Sequence, residues 1–315
     1  MASTLSAKHF HDEPAAFAFV EARVWPNGPT CPHCGGVERI SKMGGKATRL
    51  GLYKCYQCRK QFTVKVGTVF EASHVPLNIW LQAVVLLTSS KKGMSSNQLH
   101  RVLGVTLKTA WFMSHRIREA MRDGTLAPMG GRGGIVEADE TYIGRMAKSE
   151  PSPQRRGRPY INKNRPPRKR AIISLVERGG KVRSFHVENA DKATVTGIVN
   201  ANIDRETRIH TDESRLYTGL EMSFADYETV NHGAREYARG DVTTNSVEGF
   251  FSIFKRGMQG VYQHCGEKHL HRYLAEFDFR YNARVALGVG DAARADLALA
   301  GIVGKRLTYR TTAGR

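Results

Sequence analysis

The stretch Gly133-Gly-Ile-Val-Glu-Ala-Asp139 decides the fold. A short apolar run opened by glycines and closed by a carboxylate reads as a buried strand that delivers an acid at its end. Arg208-Ile-His-Thr-Asp212 repeats the pattern, and a third acid, Glu248, lies 36 positions beyond Asp212. It stands in Thr244-Asn-Ser-Val-Glu-Gly-Phe-Phe-Ser-Ile-Phe-Lys255, which has the spacing of a helix. Two strand-end carboxylates and one helix carboxylate can converge on a pair of divalent cations, the arrangement that performs in-line displacement at phosphorus.

The Glu248 helix sharpens this expectation. Apolar residues at 247, 250, 251, 254 and 258 form the stripe that should be buried. Glu248, Ser252, Lys255 and Gln259 recur at i, i+4, i+7 and i+11, so they share one polar face. Lys255 lies about two turns, on the order of 10 Å, from Glu248, a reach that suits holding a phosphate beside a metal cluster. Local alternatives stay open. Asp139 can be a strand-end turn residue with Glu137 and Glu140 as competitors, and Asp212 can cap a following helix. Asn245, three positions before Glu248, can make a capping box with it.

Around these motifs the pattern alternates between strand and helix. A hairpin is expected from 171–176 and 182–187 around Gly179-Gly180, then a helix over 193–203, a strand over 208–211 and a short strand near 227–230. That order describes an α/β domain with a mixed sheet, assigned to 135–284. Pro128-Met-Gly-Gly-Arg-Gly-Gly134, with four glycines, reads as a linker over 128–134.

Upstream, residues 1–25 read as an amphipathic helical segment and 26–66 as a small metal-bound module. Cys31-Pro-His-Cys34 and Cys55-Tyr-Gln-Cys58 are two CxxC pairs separated by 20 residues. Two-residue spacing lets both thiolates of a pair face one ion, and two pairs complete a tetrahedral shell for Zn²⁺. The ribbon would present Lys42, Lys46, Arg49, Lys54, Arg59 and Lys60 to DNA, whereas His33 and Cys265 are expected to bind nothing. Residues 67–127 read as helical. Leu77, Trp80, Leu81, Val84, Val85 and Thr88 form one stripe, and Gly104 separates two helices capped near Ser95 and Thr106. This is a helix-turn-helix layout whose second helix would carry Lys108, Trp111, His115, Arg116 and Arg118 into a major groove, with a plain helical hairpin as the alternative.

The charge balance points the same way. Forty-eight basic residues against 29 acidic ones leave a net charge of +19, which favours a polyanionic partner. No apolar run approaches the roughly 18 residues of a spanning helix. The N-terminus lacks the apolar core of a secretory signal, so a reducing cytoplasmic compartment is expected and no membrane.

The motifs Val136-Glu-Ala-Asp-Glu-Thr-Tyr-Ile-Gly144, His210-Thr-Asp-Glu-Ser214, Thr244–Lys255 and His269–Asn282 resemble those of bacterial insertion-sequence transposases of the DDE class. The nearest resemblance is to the ISXO-type group, over about residues 15–285. It implies an RNase-H-like catalytic domain preceded by a zinc ribbon and a helical DNA-binding region. It also implies Asp139, Asp212 and Glu248 as ligands of Mg²⁺ and Lys255 as the lysine that trails the glutamate. The 35 residues between Asp212 and Glu248 fit the spacing of that superfamily, and some relatives use Asn as the third residue, which keeps Asn245 in view. Hard oxygen donors suit Mg²⁺ or Mn²⁺. His232 is a candidate contact to the scissile phosphate. The expected partners are double-stranded DNA, namely terminal inverted repeats and target, and further copies of the chain in a synaptic homo-oligomer.

A basic insert over 153–170 carries Arg155, Arg156, Arg158, Lys163, Arg165, Arg168, Lys169 and Arg170 and is expected to contact the DNA backbone. Arg156-Gly-Arg-Pro159 resembles the core of an AT-hook, which reads the minor groove. Residues 285–315 read as a C-terminal tail. Two other functions fit the same residues: a structure-specific nuclease that cuts without joining, and a DNA-binding regulator with an idle catalytic domain.

Overall fold

The computed structural model describes residues 3–124, 127–144 and 169–308. The chain forms two compact units, Met1–Asp123 with Ala283–Arg315, and Gly124–Asn282.

In the first unit α1 (Glu13–Val24) starts where the Asp12 carboxylate accepts the Ala15 N–H at 2.9 Å, with Pro14 in the first turn. It buries Ala16, Phe17 and Val20. Three short strands, β1 (Ile40–Lys42), β2 (Tyr53–Cys55) and β3 (Gln61–Phe62), pair antiparallel into the ribbon. In α2 (Leu77–Ser89) the expected stripe of Leu77, Trp80, Leu81, Val84, Val85 and Thr88 is buried. Ser95 and Thr106 cap α3 (Ser96–Leu103) and α4 (Leu107–Ala120) through the Gln98 and Thr109 amides. Between them Gly104 holds a left-handed φ of 65°, which a β-carbon would oppose.

The inner half of α4 departs from the sequence expectation. Arg116 is only 4% exposed, and its guanidinium donates to the carbonyls of Val69, Glu71 and Leu307 at 2.8, 2.7 and 3.1 Å. A basic residue on a helix ordinarily marks the wet face, but here guanidinium N–H donors satisfy three loop carbonyls inside the unit. His115 and Arg118 are buried too, so only the first turn of α4, with Leu107 and Lys108, is exposed.

The second unit is built on a five-stranded mixed sheet. Its strands are β4 (Ile135–Ile143), β5 (Arg170–Glu177), β6 (Val182–Val187), β7 (Arg208–Asp212) and β8 (Asp226–Val230). The order is β6-β5-β4-β7-β8, with β4, β5 and β6 antiparallel and β4, β7 and β8 parallel. An antiparallel meander extended by two parallel strands is the RNase-H-like arrangement that the sequence led us to expect. α5 (Lys192–Asn202) crosses between β6 and β7 and buries Val195 and Val199 on one face of the sheet, against Val136, Ala138, Ile173 and Leu175. A small hairpin, β9 (Ala238–Arg239) and β10 (Val242–Thr243), leads into α6 (Asn245–Gly257), and α7 (Leu270–Asn282) follows. These two helices cover the other face, packing Val247, Phe250, Phe251, Phe254, Leu274 and Phe277 on Ile172, Val176 and Val182. Each such side chain contributes about 1.5–3 kcal/mol by leaving water, which fixes α6 against the sheet.

The stretch 128–134, which reads as a linker, is built into this unit. Met129 joins the core beside α5, and the Gly131 N–H donates to Thr207 Oγ1 at 2.8 Å. Gly130 holds φ +82°, and a β-carbon there would meet Thr207 at 2.3 Å. Its glycines serve close approach as well as turning. The described part of 285–315, read as a tail, holds α8 (Asp291–Ala300), which buries Arg294, Ala295, Ala298 and Leu299 and packs on α2. Short alanine-rich segments carry little apolar signal, which is why this one reads as tail.

Candidate active site and metal centres

The register of the parallel strands brings the two aspartates together. Glu137 pairs with His210, so two places further along Asp139 stands beside Asp212. Ligand oxygens of Asp139, Glu140 and Asp212 all lie within 4.8 Å of one another. Burial, then the neighbouring charges of Asp212, Glu140 and Glu248, push Asp139 up to about 8. Burial also raises Asp212 and Glu140 above the usual carboxylate range. Backbone N–H groups oppose this, from Glu140 to Asp139 Oδ1 at 2.7 Å and from Ser214 to Asp212 Oδ1 at 3.1 Å. Half-buried acids that destabilise one another are what a hard divalent cation relieves, and carboxylate oxygens are the donors it takes. The residues fit such an ion.

Glu248 enters from the first turn of α6. Its carboxylate accepts the Thr244 hydroxyl at 2.9 Å and lies 3.6 Å from His232 Nε2. It is not within the group of three, but its charge is felt at Asp139. Asn245 is exposed, and its N–H donates to Thr243 Oγ1 at 3.1 Å. The polar face of α6 is as expected: Glu248, Ser252 and Lys255 are exposed and Val247, Phe250, Phe251 and Phe254 are buried. The buried Met258 and exposed Gln259 fall past its end in a π-helical turn, Met258–Tyr262. Lys255 Nζ lies 6.0 Å from the centre of the Phe251 ring.

The competing glutamates are sorted by their contacts. Glu137 is fully buried and turned to the amides of Ser246 and Val247 and to Arg178, away from the acids. Glu140 stays in the acidic group, oriented by the Tyr217 hydroxyl, which donates to its Oε2 at 2.9 Å. Glu213 accepts the backbone N–H groups of His232 and Gly233, both at 2.9 Å, and so holds the His232 turn near Asp212 and Glu248. Sequence reasoning singled out neither Arg178 nor Tyr217 nor Glu213. The signal available was thin: an arginine inside the hairpin turn Glu177-Arg-Gly-Gly180 and a glutamate next to Asp212.

In the ribbon the four cysteines close on one point. Cys31 Sγ lies 3.6 Å from Cys58 Sγ, and Cys34 Sγ lies 3.7 Å from Cys55 Sγ. Thiolates at about 2.3 Å from a tetrahedral ion sit about 3.8 Å apart, so the cage has the size of a Zn²⁺ site. The backbone N–H of Cys58, with that of Gln57, helps hold Cys55 down at about 7. Tyr53 and Phe62 pack beside the cage, and Trp25 packs against them. His33 is exposed, and Cys265 Sγ donates to the Gly266 carbonyl at 3.4 Å.

Of the expected DNA contacts, Lys108 is exposed and Arg116 is not. Arg155, Arg156, Arg158, Lys163, Arg165 and Arg168 lie outside the described residues. Lys169 is exposed, whereas Arg170 donates to the Cys265 carbonyl at 2.6 Å. Among the described residues no helix is long and apolar enough to cross a membrane.

Comparison with known proteins agrees with this architecture. Residues 132–282 match the ISXO2-like transposase domain, and residues 11–61 match the transposase zinc-ribbon domain. A protein of the transposable element ISH50 from Halobacterium salinarum is 31% identical over 268 residues, which are 81% of this chain and 86% of the relative. A transposase-like protein of Haemophilus influenzae is 26% identical over 102 residues, 32% of this chain and 81% of that one. Among solved structures, a Mos1 transposase paired-end complex overlaps loosely, with a TM-score of 0.20 and 16% identity over 63% of this chain and 77% of the other. A Mos1 paired-end complex with Mn gives a TM-score of 0.22 at 15% identity over 69% and 77% of the two chains. With a zinc-ribbon match, a catalytic-domain match and a mobile-element relative over most of its length, the chain belongs to the ISXO2-like family of insertion-sequence transposases.

Proposed function

We propose that the protein binds the terminal inverted repeats of its own element, cleaves a strand at each end and joins the freed end to target DNA. The observation that carries this reading is the meeting of Asp139 and Asp212 across β4 and β7, within the field of Glu248. Asp139, Asp212 and Glu248 would hold Mg²⁺ or Mn²⁺, with Glu140 as a further oxygen donor. A pair of such ions, when bound, supplies an activated hydroxyl and stabilises the leaving oxygen.

The chain's own residues supply position and charge. Tyr217 fixes the Glu140 carboxylate, and Thr244 fixes that of Glu248. Lys255, on the same exposed face as Glu248, holds a phosphate oxygen of the bound strand. His232, whose turn is held by Glu213, would contact the scissile phosphate. Four cysteines hold Zn²⁺ in a structural role, so the ribbon orders with its metal and presents its lysines and arginines to the DNA backbone. Lys108 reaches DNA from the first turn of α4, and 153–170 adds backbone contacts. The expected setting is the cytoplasm, on the nucleoid, with two or more copies joining the two ends.

The test is cleavage of a duplex carrying the element's terminal repeat, with Asp139→Asn beside wild type. The substituted protein should bind the duplex with unchanged affinity and leave it intact. Cleavage by Asp139→Asn would sink the site assignment. A strand-transfer assay separates the transposase from a nuclease that cuts without joining. An uncut duplex with the wild type and Mg²⁺ or Mn²⁺ would favour a DNA-binding regulator.

A further inference from the structure

Behind the acids lies a second polar cluster, set back by one alternation of each strand. Glu137 accepts five hydrogen bonds. The amides of Ser246 and Val247 donate to its Oε2 at 2.6 and 3.1 Å. Ser246 Oγ and Arg178 Nε and Nη2 donate to its Oε1 at 2.9, 3.1 and 2.8 Å. The same Arg178 fork reaches His210 Nδ1 at 3.3 Å and the Thr243 and Asp241 carbonyls at 3.2 and 2.7 Å. Its own N–H donates to the Ile135 carbonyl of β4 at 2.9 Å.

The positions of these residues share one offset. Glu137, His210 and Ser246 each stand two residues before an acid of the site: Asp139, Asp212 and Glu248. On the two strands that spacing returns to the same face. The hydrogen bonds of Glu137 to Ser246 and Val247 and of Arg178 to His210 tie together the three segments that carry the acids. The amino end of α6 shows why the tie matters. Its N-cap residue, Thr244, makes no side-chain cap, because its hydroxyl serves Glu248 instead. First-turn amides need acceptors, and for those of Ser246 and Val247 the acceptor is Glu137 in β4, 109 positions before Ser246. The seating of α6, and with it the placement of Glu248, is therefore set from the strand that carries Asp139.

We infer that Glu137 and Arg178 are positioning residues: together they register Glu248 against Asp139 and Asp212, and neither binds the metal. Both Glu137 oxygens are committed to protein donors, which leaves them poor ligands. The inference rests on the divalent-metal reading of the acids. Lysine at 178 keeps the charge but loses the planar fork that spans four partners.

The experiment compares Arg178→Lys and Glu137→Gln with wild type by Mn²⁺ binding, followed by electron paramagnetic resonance without DNA, and by kcat and KM on terminal-repeat duplex. Arg178 is partly exposed, with 28% of its side chain accessible, so its variant keeps the protein folded should Glu137→Gln fail to. We expect the wild-type number of ions, an affinity weakened roughly 10–100-fold and kcat lowered by a similar factor. KM should stay within about twofold of wild type. Arg178→Lys with wild-type Mn²⁺ affinity overturns the inference, even where its melting temperature falls, since that describes a merely structural pair. Loss of an ion in Glu137→Gln overturns it too, by making Glu137 a ligand. A wild type that binds Mn²⁺ but cuts no DNA refutes the proposed function, and the affinities still decide this inference.

Discussion

Glu213 Oε2 accepts the backbone N–H of His232 at 2.9 Å, so the residue next to Asp212 holds the turn that faces Glu248. A glutamine there would set an amide NH₂ against one of two N–H donors that now share the carboxylate. Glu213→Gln should therefore lower the cleavage rate roughly 10–100-fold, as loss of an outer-shell partner does. Glu213 is exposed, so the melting temperature should barely move. Single-turnover cleavage beside a thermal melt checks both; a wild-type rate would show that the His232 turn plays no part.

Phe254 and Lys255 are neighbours on α6 with opposite duties. Phe254 is fully buried beneath the helix, and Lys255 is exposed on the Glu248 face. Phe254→Ala should cost about 3–5 kcal/mol of stability in denaturant unfolding. Lys255→Ala should leave unfolding unchanged and slow cleavage on the order of 10²-fold, the scale of removing one charge-stabilising donor. The reverse pattern would mean that α6 is seated the other way round.

Asp278 on α7 makes stability depend on pH. It accepts the Ser184 N–H at 2.8 Å and the Ser184 hydroxyl at 2.7 Å, yet burial pushes it up to about 7. Its folded value lies above the unfolded one of about 3.9, so the native state holds the proton more tightly. The stabilisation is complete below about pH 4 and is lost as the pH rises to about 7, at no more than about 1.4 kcal/mol per pH unit. In wild type minus Asp278→Asn, chemical unfolding should show this decline and then a plateau above pH 7. A pH-independent difference would refute the assignment.

Removing zinc should act on the ribbon and spare the second unit. Cys31→Ser, or chelation, should release the single equivalent of Zn²⁺ and expose 11–61 to protease, because such ribbons are stabilised by their metal. Residues 124–282 should keep their protection. A protease-resistant ribbon without zinc would contradict the structural role.

Much of this was legible because it is local. The α6 stripe, the CxxC pairs and the strand-end Asp212 are short-range patterns of known period. Asp139, which reads as a strand end, lies inside β4 because pairing with β5 carries that strand on to Ile143. The nearness of Asp139 and Asp212 is not local, since it depends on β4 pairing parallel with β7 across the crossover helix α5. Arg116 reads as a surface charge because sequence shows the cation but not the three carbonyls that surround it. Glycines 130–134 read as a linker because flexibility and close packing call for the same residue, and only Thr207 reveals the second use. Glu137 reads as a rival ligand because its position two before Asp139 says nothing of the helix end it caps.

We propose that Glu248, and not Asn245, completes the site begun by Asp139 and Asp212. Single-turnover cleavage of terminal-repeat duplex by Glu248→Gln and Asn245→Ala tests it most directly. Loss of a metal ligand removes several kcal/mol of transition-state stabilisation, so Glu248→Gln should cleave on the order of 10³-fold more slowly while still binding the duplex. Asn245→Ala should cleave within a fewfold of wild type. A Glu248→Gln protein that cuts normally, beside an inactive Asn245→Ala, would contradict the account.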